Sequence, residues 1–150
     1  MNKPLSPHRI TILLADDDPD DCLLARDAIA AGRATITLRT VDDGEDLMNY
    51  LHRRSPYEDE SAAPRPDLIL LDLSMPKKSG LQALAEIKGS PTLRQIPVVV
   101  LTTSNQDEEI QRSYDLGASS FVTKPVRFET LVEVMDSINR YWFQTVELPG

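Results

Sequence analysis

Four apolar runs in this chain each end on a residue that could take part in phosphate or metal chemistry. Ile12-Leu13-Leu14-Ala15 leads into Asp16-Asp17-Asp18-Pro19, and Leu68-Ile69-Leu70-Leu71 ends on Asp72. Val98-Val99-Val100-Leu101 ends on Thr102, and Phe121-Val122-Thr123 ends on Lys124-Pro125. If these runs are neighbouring parallel strands, their ends bring three carboxylates, a hydroxyl and an ammonium to one sheet edge. Crowded carboxylates repel one another and invite a cation. Asp72 is a candidate nucleophile, because aspartate carboxylates form acyl-phosphate intermediates. Mg²⁺ suits such a step, since it takes one or two carboxylates, keeps several waters and completes its shell with phosphate oxygens. Asp16, Asp17 and Asp72 supply the hard oxygens. Lys124 is a compact donor for a phosphate oxygen, Thr102 can donate its hydroxyl to another, and Pro125 fixes the turn that aims the lysine.

The elements that must position these groups alternate along the chain. Strand-like segments are expected at 11–15, 35–41, 68–72, 97–101 and 119–123. Helices are expected at 19–31, 44–53, 81–88, 106–116 and 128–143, with Pro19 opening the first and Gly32 closing it. Residues 54–66, with three prolines, read as a solvated loop. Five strand–helix units imply right-handed crossovers and a parallel sheet covered on both faces, an α/β doubly wound fold. The uninterrupted apolar strands at 11–15, 68–72 and 97–101 should be central, and the one at 35–41 near an edge. In such folds the site lies beyond the carboxyl ends of the strands, where the Asp, Thr and Lys residues fall.

A length of 150 residues suits a single domain with a normal core, and 41% hydrophobic with 27% charged residues is ordinary for a soluble protein. The net charge of −8 argues against a nucleic-acid partner. No apolar stretch has the length needed to cross a bilayer, and the first residues lack a signal-peptide core. A lone cysteine, Cys22, fits a reducing compartment, so a cytoplasmic location is expected.

Several residues have simpler roles. Asp18 is placed to cap the first helix, and Asp20 and Asp21 complement its dipole. Asp16, Asp18, Asp20 and Asp27 mimic carboxylate positions of a calcium loop, but Asp21 stands where that loop needs glycine and a strand precedes it. His8 and His52 lack companion ligands. Met75-Pro76 reads as a packed turn and Cys22 as core.

The Asp-Asp pair after the first strand, Leu-Leu-Asp-Leu-x-Met-Pro after the third, Thr-Thr after the fourth and Lys-Pro after the fifth resemble bacterial response-regulator receiver domains. The resemblance spans about residues 9–140, followed by an extension at 141–150. It implies a flavodoxin-like sheet of order 2-1-3-4-5, with Asp72 as the phosphoacceptor for a histidine kinase. It also implies Mg²⁺ held by Asp16, Asp17, Asp72 and the backbone carbonyl of Ser74, and phosphoryl contacts from Thr102 and Lys124. Phe121 sits where that family has an aromatic switch residue, moving in concert with Thr102. The acidic run, the long loop before Arg65-Pro66-Asp67 and the Tyr-Trp-Phe-Gln-Thr-Val-Glu-Leu-Pro ending are similar to single-domain regulators paired with phytochrome-type kinases. Members of that group usually carry asparagine or a similar residue where this chain has Asp18.

Two functions fit these residues. One is a switch that accepts a phosphoryl group and changes its binding surface. The other is a Mg²⁺-dependent phosphohydrolase with an aspartyl nucleophile. Hydrolases of that class usually place a second Asp two residues after the nucleophile, where this chain has Ser74, and they need a substrate cap. The switch is therefore favoured over a turnover enzyme. On the last helix Phe128, Leu131, Met135, Ile138 and Trp142 form a stripe that should face the sheet. Tyr141, Trp142, Phe143, Val146 and Leu148 would expose an apolar patch, which predicts a homodimer through the last helix and tail.

Overall fold

The computed structural model describes residues 10–32, 36–59, 61, 63–75, 77–102, 107–123 and 127–140. Five strands, β1 (Ile10–Ala15), β2 (Ile36–Val41), β3 (Leu68–Asp72), β4 (Val98–Thr102) and β5 (Ser120–Thr123), alternate with five helices. The helices are α1 (Pro19–Ala31), α2 (Gly44–Leu51), α3 (Gly80–Gly89), α4 (Asp107–Asp115) and α5 (Phe128–Arg140). All strand pairs are parallel, in the order β2-β1-β3-β4-β5. The three apolar strands are thus interior and β2 is outermost, as their hydropathy predicted.

Strand alternation sorts the side chains into two cores. Leu13, Ala15, Ile69, Leu71, Val98 and Val100 pack under α2 and α3. Ile12, Leu14, Leu68, Leu70 and Leu101 pack under α1 and α5. Each fully buried Leu or Ile contributes about 1.5–3 kcal/mol relative to exposure, so these two layers hold the sheet rigid beneath its carboxyl edge.

Local signals set the helix ends. Asp18 caps α1 by accepting from the Asp20 N–H at 2.9 Å, with Pro19 at the start of the helix. Ser79 and Gln82 form a reciprocal capping box on α3. At the far end of α3, Lys88 Nζ donates to the carbonyls of Arg94 (2.9 Å) and Ile96 (2.8 Å). Gly117, at φ 109°, ends the α4 turn where L side chains are strained.

Three details differ from the sequence expectation. The second helix stops at Leu51 rather than residue 53, because Arg53 takes a left-handed φ of 53° and its Nε donates to the Ala63 carbonyl at 3.2 Å. In α5, Leu131 and Met135 are buried, but Phe128 is 37% exposed; it opens the helix and does not reach the core. Cys22 is half-buried and packs against the α1/α5 core as a peripheral member. Residues 141–143, expected to extend the last helix, lie outside the described residues.

The loop between α2 and β3 is pinned onto α2 by two tyrosines. Tyr50 and Tyr57 rings meet at 5.2 Å, and Tyr50 Oη donates to the Pro64 carbonyl at 2.8 Å. Tyr57 Oη donates to the Asp46 carboxylate at 2.9 and 3.0 Å. Burial first, and then the bond to Asp46, push the Tyr57 hydroxyl up to about 12. Its folded pKa is raised, so the stabilisation is fully present below the ordinary tyrosine value and is lost as pH rises through about 12. Tyr57→Phe should cost about 1 kcal/mol at neutral pH and flatten the alkaline loss of stability. Urea melts of both proteins from neutral pH upward check this, and parallel curves would remove Tyr57 from the loop's anchorage.

Candidate functional site

The parallel register delivers the strand ends to one edge. Ala15 pairs with Leu71, and Asp72 with Leu101, so Asp16 and Asp72 emerge from adjacent strands at the same level. The backbone continues the ladder past the strands: Asp16 N–H donates to the Val41 carbonyl and Leu73 N–H to the Leu101 carbonyl, both at 3.1 Å. Asp16 is 0% exposed and Asp72 3%, while Asp17 faces solvent. One carboxylate oxygen from each of the three lies within 4.8 Å of the others.

Two backbone amides aim the buried carboxylates. Asp18 N–H donates to Asp16 Oδ1 at 2.9 Å, and Ser74 N–H donates to Asp72 Oδ1 at 3.0 Å. Ligands oriented this way pre-form an oxygen site. Three hard oxygens with one open, solvent-facing side suit Mg²⁺, which keeps waters and shares its shell with phosphate. Bound there, the ion would supply charge neutralisation for a phosphate oxygen.

A cleft of about 470 Å³ opens beside these residues, lined by Asp16, Asp17, Pro19, Cys22, Leu23, Arg26 and Asp42. The Cys22 thiol lies 3.9 Å from the Asp16 carbonyl. Burial, followed by the charges of Asp16 and Asp42, pushes the Cys22 thiol up, so it stays protonated at neutral pH and is a poor metal ligand.

The other expected site residues are placed less fully. Thr102 ends β4 opposite Thr123, and its side chain lies outside the described residues. Lys124 lies outside them too, directly after the last residue of β5. Phe121, half-buried in β5, meets the Tyr114 ring edge-on at 5.8 Å and 78°. Ser74 is exposed in the loop after β3. Tyr141, Trp142, Phe143, Val146 and Leu148 all fall outside the described residues.

One residue that shapes the site gave no chemical signal in the sequence. A Cβ on Gly80 would lie 2.5 Å from both the Asp72 carbonyl oxygen and Leu73 Cα, so only glycine lets α3 start this close to Asp72. The Gly80 N–H also donates to the Leu73 carbonyl at 3.2 Å.

Residues 12–136 match the family model described as "Response regulator receiver domain". The response regulator Rcp1 of Synechocystis sp. is 38% identical over 150 residues, covering 100% of this chain and 99% of its own length. Among solved structures, the phosphorylated cyanobacterial phytochrome response regulator RcpA is 41% identical, with a TM-score of 0.79 and 95% and 99% of the two chains covered. The Mn²⁺-bound form of Rcp1 gives 38% identity, a TM-score of 0.78, and coverage of 94% and 99%.

Removing charge from the cluster should separate folding from metal binding. Without metal, Asp17→Asn should stabilise the protein by relieving repulsion. In wild type, a hundredfold excess of Mg²⁺ over its dissociation constant should add about 2.7 kcal/mol, and the variant should lose most of that gain. Thermal melts with and without Mg²⁺ decide this, and equal shifts in both proteins would remove Asp17 from the metal site.

Proposed function

This chain belongs to the response regulator receiver domain family, whose members take a phosphoryl group on an aspartate from a histidine kinase, and we propose that Asp72 is that aspartate. The observation that carries this assignment is the Asp16, Asp17 and Asp72 cluster, with two carboxylates buried and each aimed by a backbone amide. Asp16, Asp17 and Asp72, with the Ser74 carbonyl, would hold Mg²⁺. Thr102 and Lys124 would contact the phosphoryl oxygens. Phe121 follows Thr102 when the site is charged, leaving its contact with Tyr114. The chain acts as a switch that assists its own phosphorylation and dephosphorylation and does not turn over a separate substrate. The cytoplasm is where such a partner kinase domain is met.

The kinase is of the phytochrome type. Support comes from full-length similarity to Rcp1 and to the phytochrome response regulator RcpA, together with the long loop and the aromatic tail that prompted the same pairing from sequence. The receiver core occupies about residues 9–140, and residues 141–150 form an extension that pairs two copies through Tyr141, Trp142, Phe143, Val146 and Leu148. Partners are proteins and not nucleic acid, in keeping with a net charge of −8. Among the described residues no helix is long and apolar enough to cross a membrane.

Wild-type protein mixed with acetyl phosphate and Mg²⁺ should gain one phosphoryl mass, chelation should abolish the gain, and Asp72→Asn should not react. Phosphorylated Asp72→Asn in the mass spectrum would refute the assignment. Truncation after Arg140 should give a monomer by light scattering and leave phosphorylation of Asp72 largely intact. A full-length protein that is monomeric at tens of micromolar in both states would assign the tail to intramolecular packing.

A further inference from the structure

Asp72 is aimed by the N–H of Ser74, which belongs to the loop between β3 and α3, so whatever holds that loop also holds the carboxylate. Gly80 secures one end of the loop, as described above. The other anchorage comes from the start of α2. A Cβ on Gly44 would overlap the Lys78 carbonyl oxygen and lie 2.7 Å from the Lys78 carbonyl carbon and Cβ, so the loop backbone rests directly on the helix. Next to it, Lys77 Nζ lies 3.6 Å from Asp43 Oδ2. Lys77 adopts a φ of 66°, a conformation that favours glycine. A side chain kept there at a backbone cost implies a use, and its partner Asp43 is itself fixed, since Asp43 Oδ1 caps α2 by accepting from the Asp46 N–H at 2.7 Å.

We propose that Asp43, Gly44 and Lys77 are positioning residues for the phosphoacceptor: the start of α2 clamps the β3–α3 loop, and the loop sets Asp72 through the Ser74 amide. None of the three is among Asp16, Asp17 and Asp72. Their effect reaches the metal through geometry, as residues that orient a ligand do. The inference rests on the metal site proposed above, and it makes that site sensitive to a helix carrying none of its ligands.

Three single variants, one double variant and three measurements test it. Mg²⁺ affinity is measured by calorimetry on the full chain, and hydrogen exchange of the Ser74 amide is followed by NMR without metal. Gly44→Ala should weaken Mg²⁺ by roughly tenfold and speed Ser74 exchange. Asp43→Asn keeps a capping side chain but loses the charge, and Lys77→Gly relaxes the backbone while removing the ion pair. Each should weaken Mg²⁺ about two- to fivefold, as a partly exposed pair allows, and the double variant should be no worse than either single one. Long-range charge alone predicts a different pattern, because removing a cation would tighten Mg²⁺ binding and removing an anion would weaken it. Lys77→Gly should also melt no lower than wild type, which separates positioning from general stability. Tighter Mg²⁺ binding by Lys77→Gly, or unchanged Ser74 exchange in the Asp43 and Lys77 variants, would overturn the proposal even if Gly44→Ala failed to fold. Wild-type protein that binds no Mg²⁺ would instead overturn the metal site itself.

Discussion

Everything at the carboxyl edge of the sheet is arranged around mutual repulsion of three carboxylates. Oxygens from Asp16, Asp17 and Asp72 come within 4.8 Å of one another, and two of these residues are buried. A flexible chain would relax such a cluster by moving apart. Here the register of β1 against β3 prevents that, because each carboxylate sits at the end of a strand whose apolar residues are locked into two cores. The rigidity of the core is therefore spent on an unfavourable local arrangement, and a cation from solvent relieves it.

The same economy explains the loops. Short connections from β1 to α1 and from β3 to α3 place backbone amides where a buried carboxylate needs a donor. Asp18 serves both as the residue whose N–H meets Asp16 and as the cap of α1. One short stretch thus starts a helix and orders a ligand, so the chain enters α1 with little freedom left to the site. A capping carboxylate at this place also adds charge close to the cluster.

Much of this was legible in the sequence because each relevant strand changes abruptly from apolar to polar or charged residues. Which strands are central followed from which runs were uninterrupted, and β2, with Thr37 and Arg39 interleaved, read as lying near an edge, while the full order came from the receiver resemblance. Asp18 as a cap could be read from Asp-Pro before a helical stretch. The contact of Gly44 with Lys78 could not, since the partners are distant in sequence and glycine leaves no periodic trace. Arg53 concealed a helix end because a left-handed arginine stands where glycine usually signals one. Phe128 fitted the helical stripe but opens α5, where the helix has not yet reached the sheet; spacing alone does not reveal that. The Thr102 hydroxyl, Lys124 and the tail rest on sequence and family membership.

The outer strand has a consequence of another kind. Exposed strand edges recruit further strands and lead to aggregation. Arg39 sits in β2 with a charge that resists such pairing, and its Nη2 donates to the Ser61 carbonyl at 3.4 Å, tying the long loop to this outer strand. At the opposite side β5 is only four residues long, with Ser120 and Thr123 exposed, too short to template an extended ladder. Sheet-to-sheet polymerisation is thereby discouraged along both outer strands.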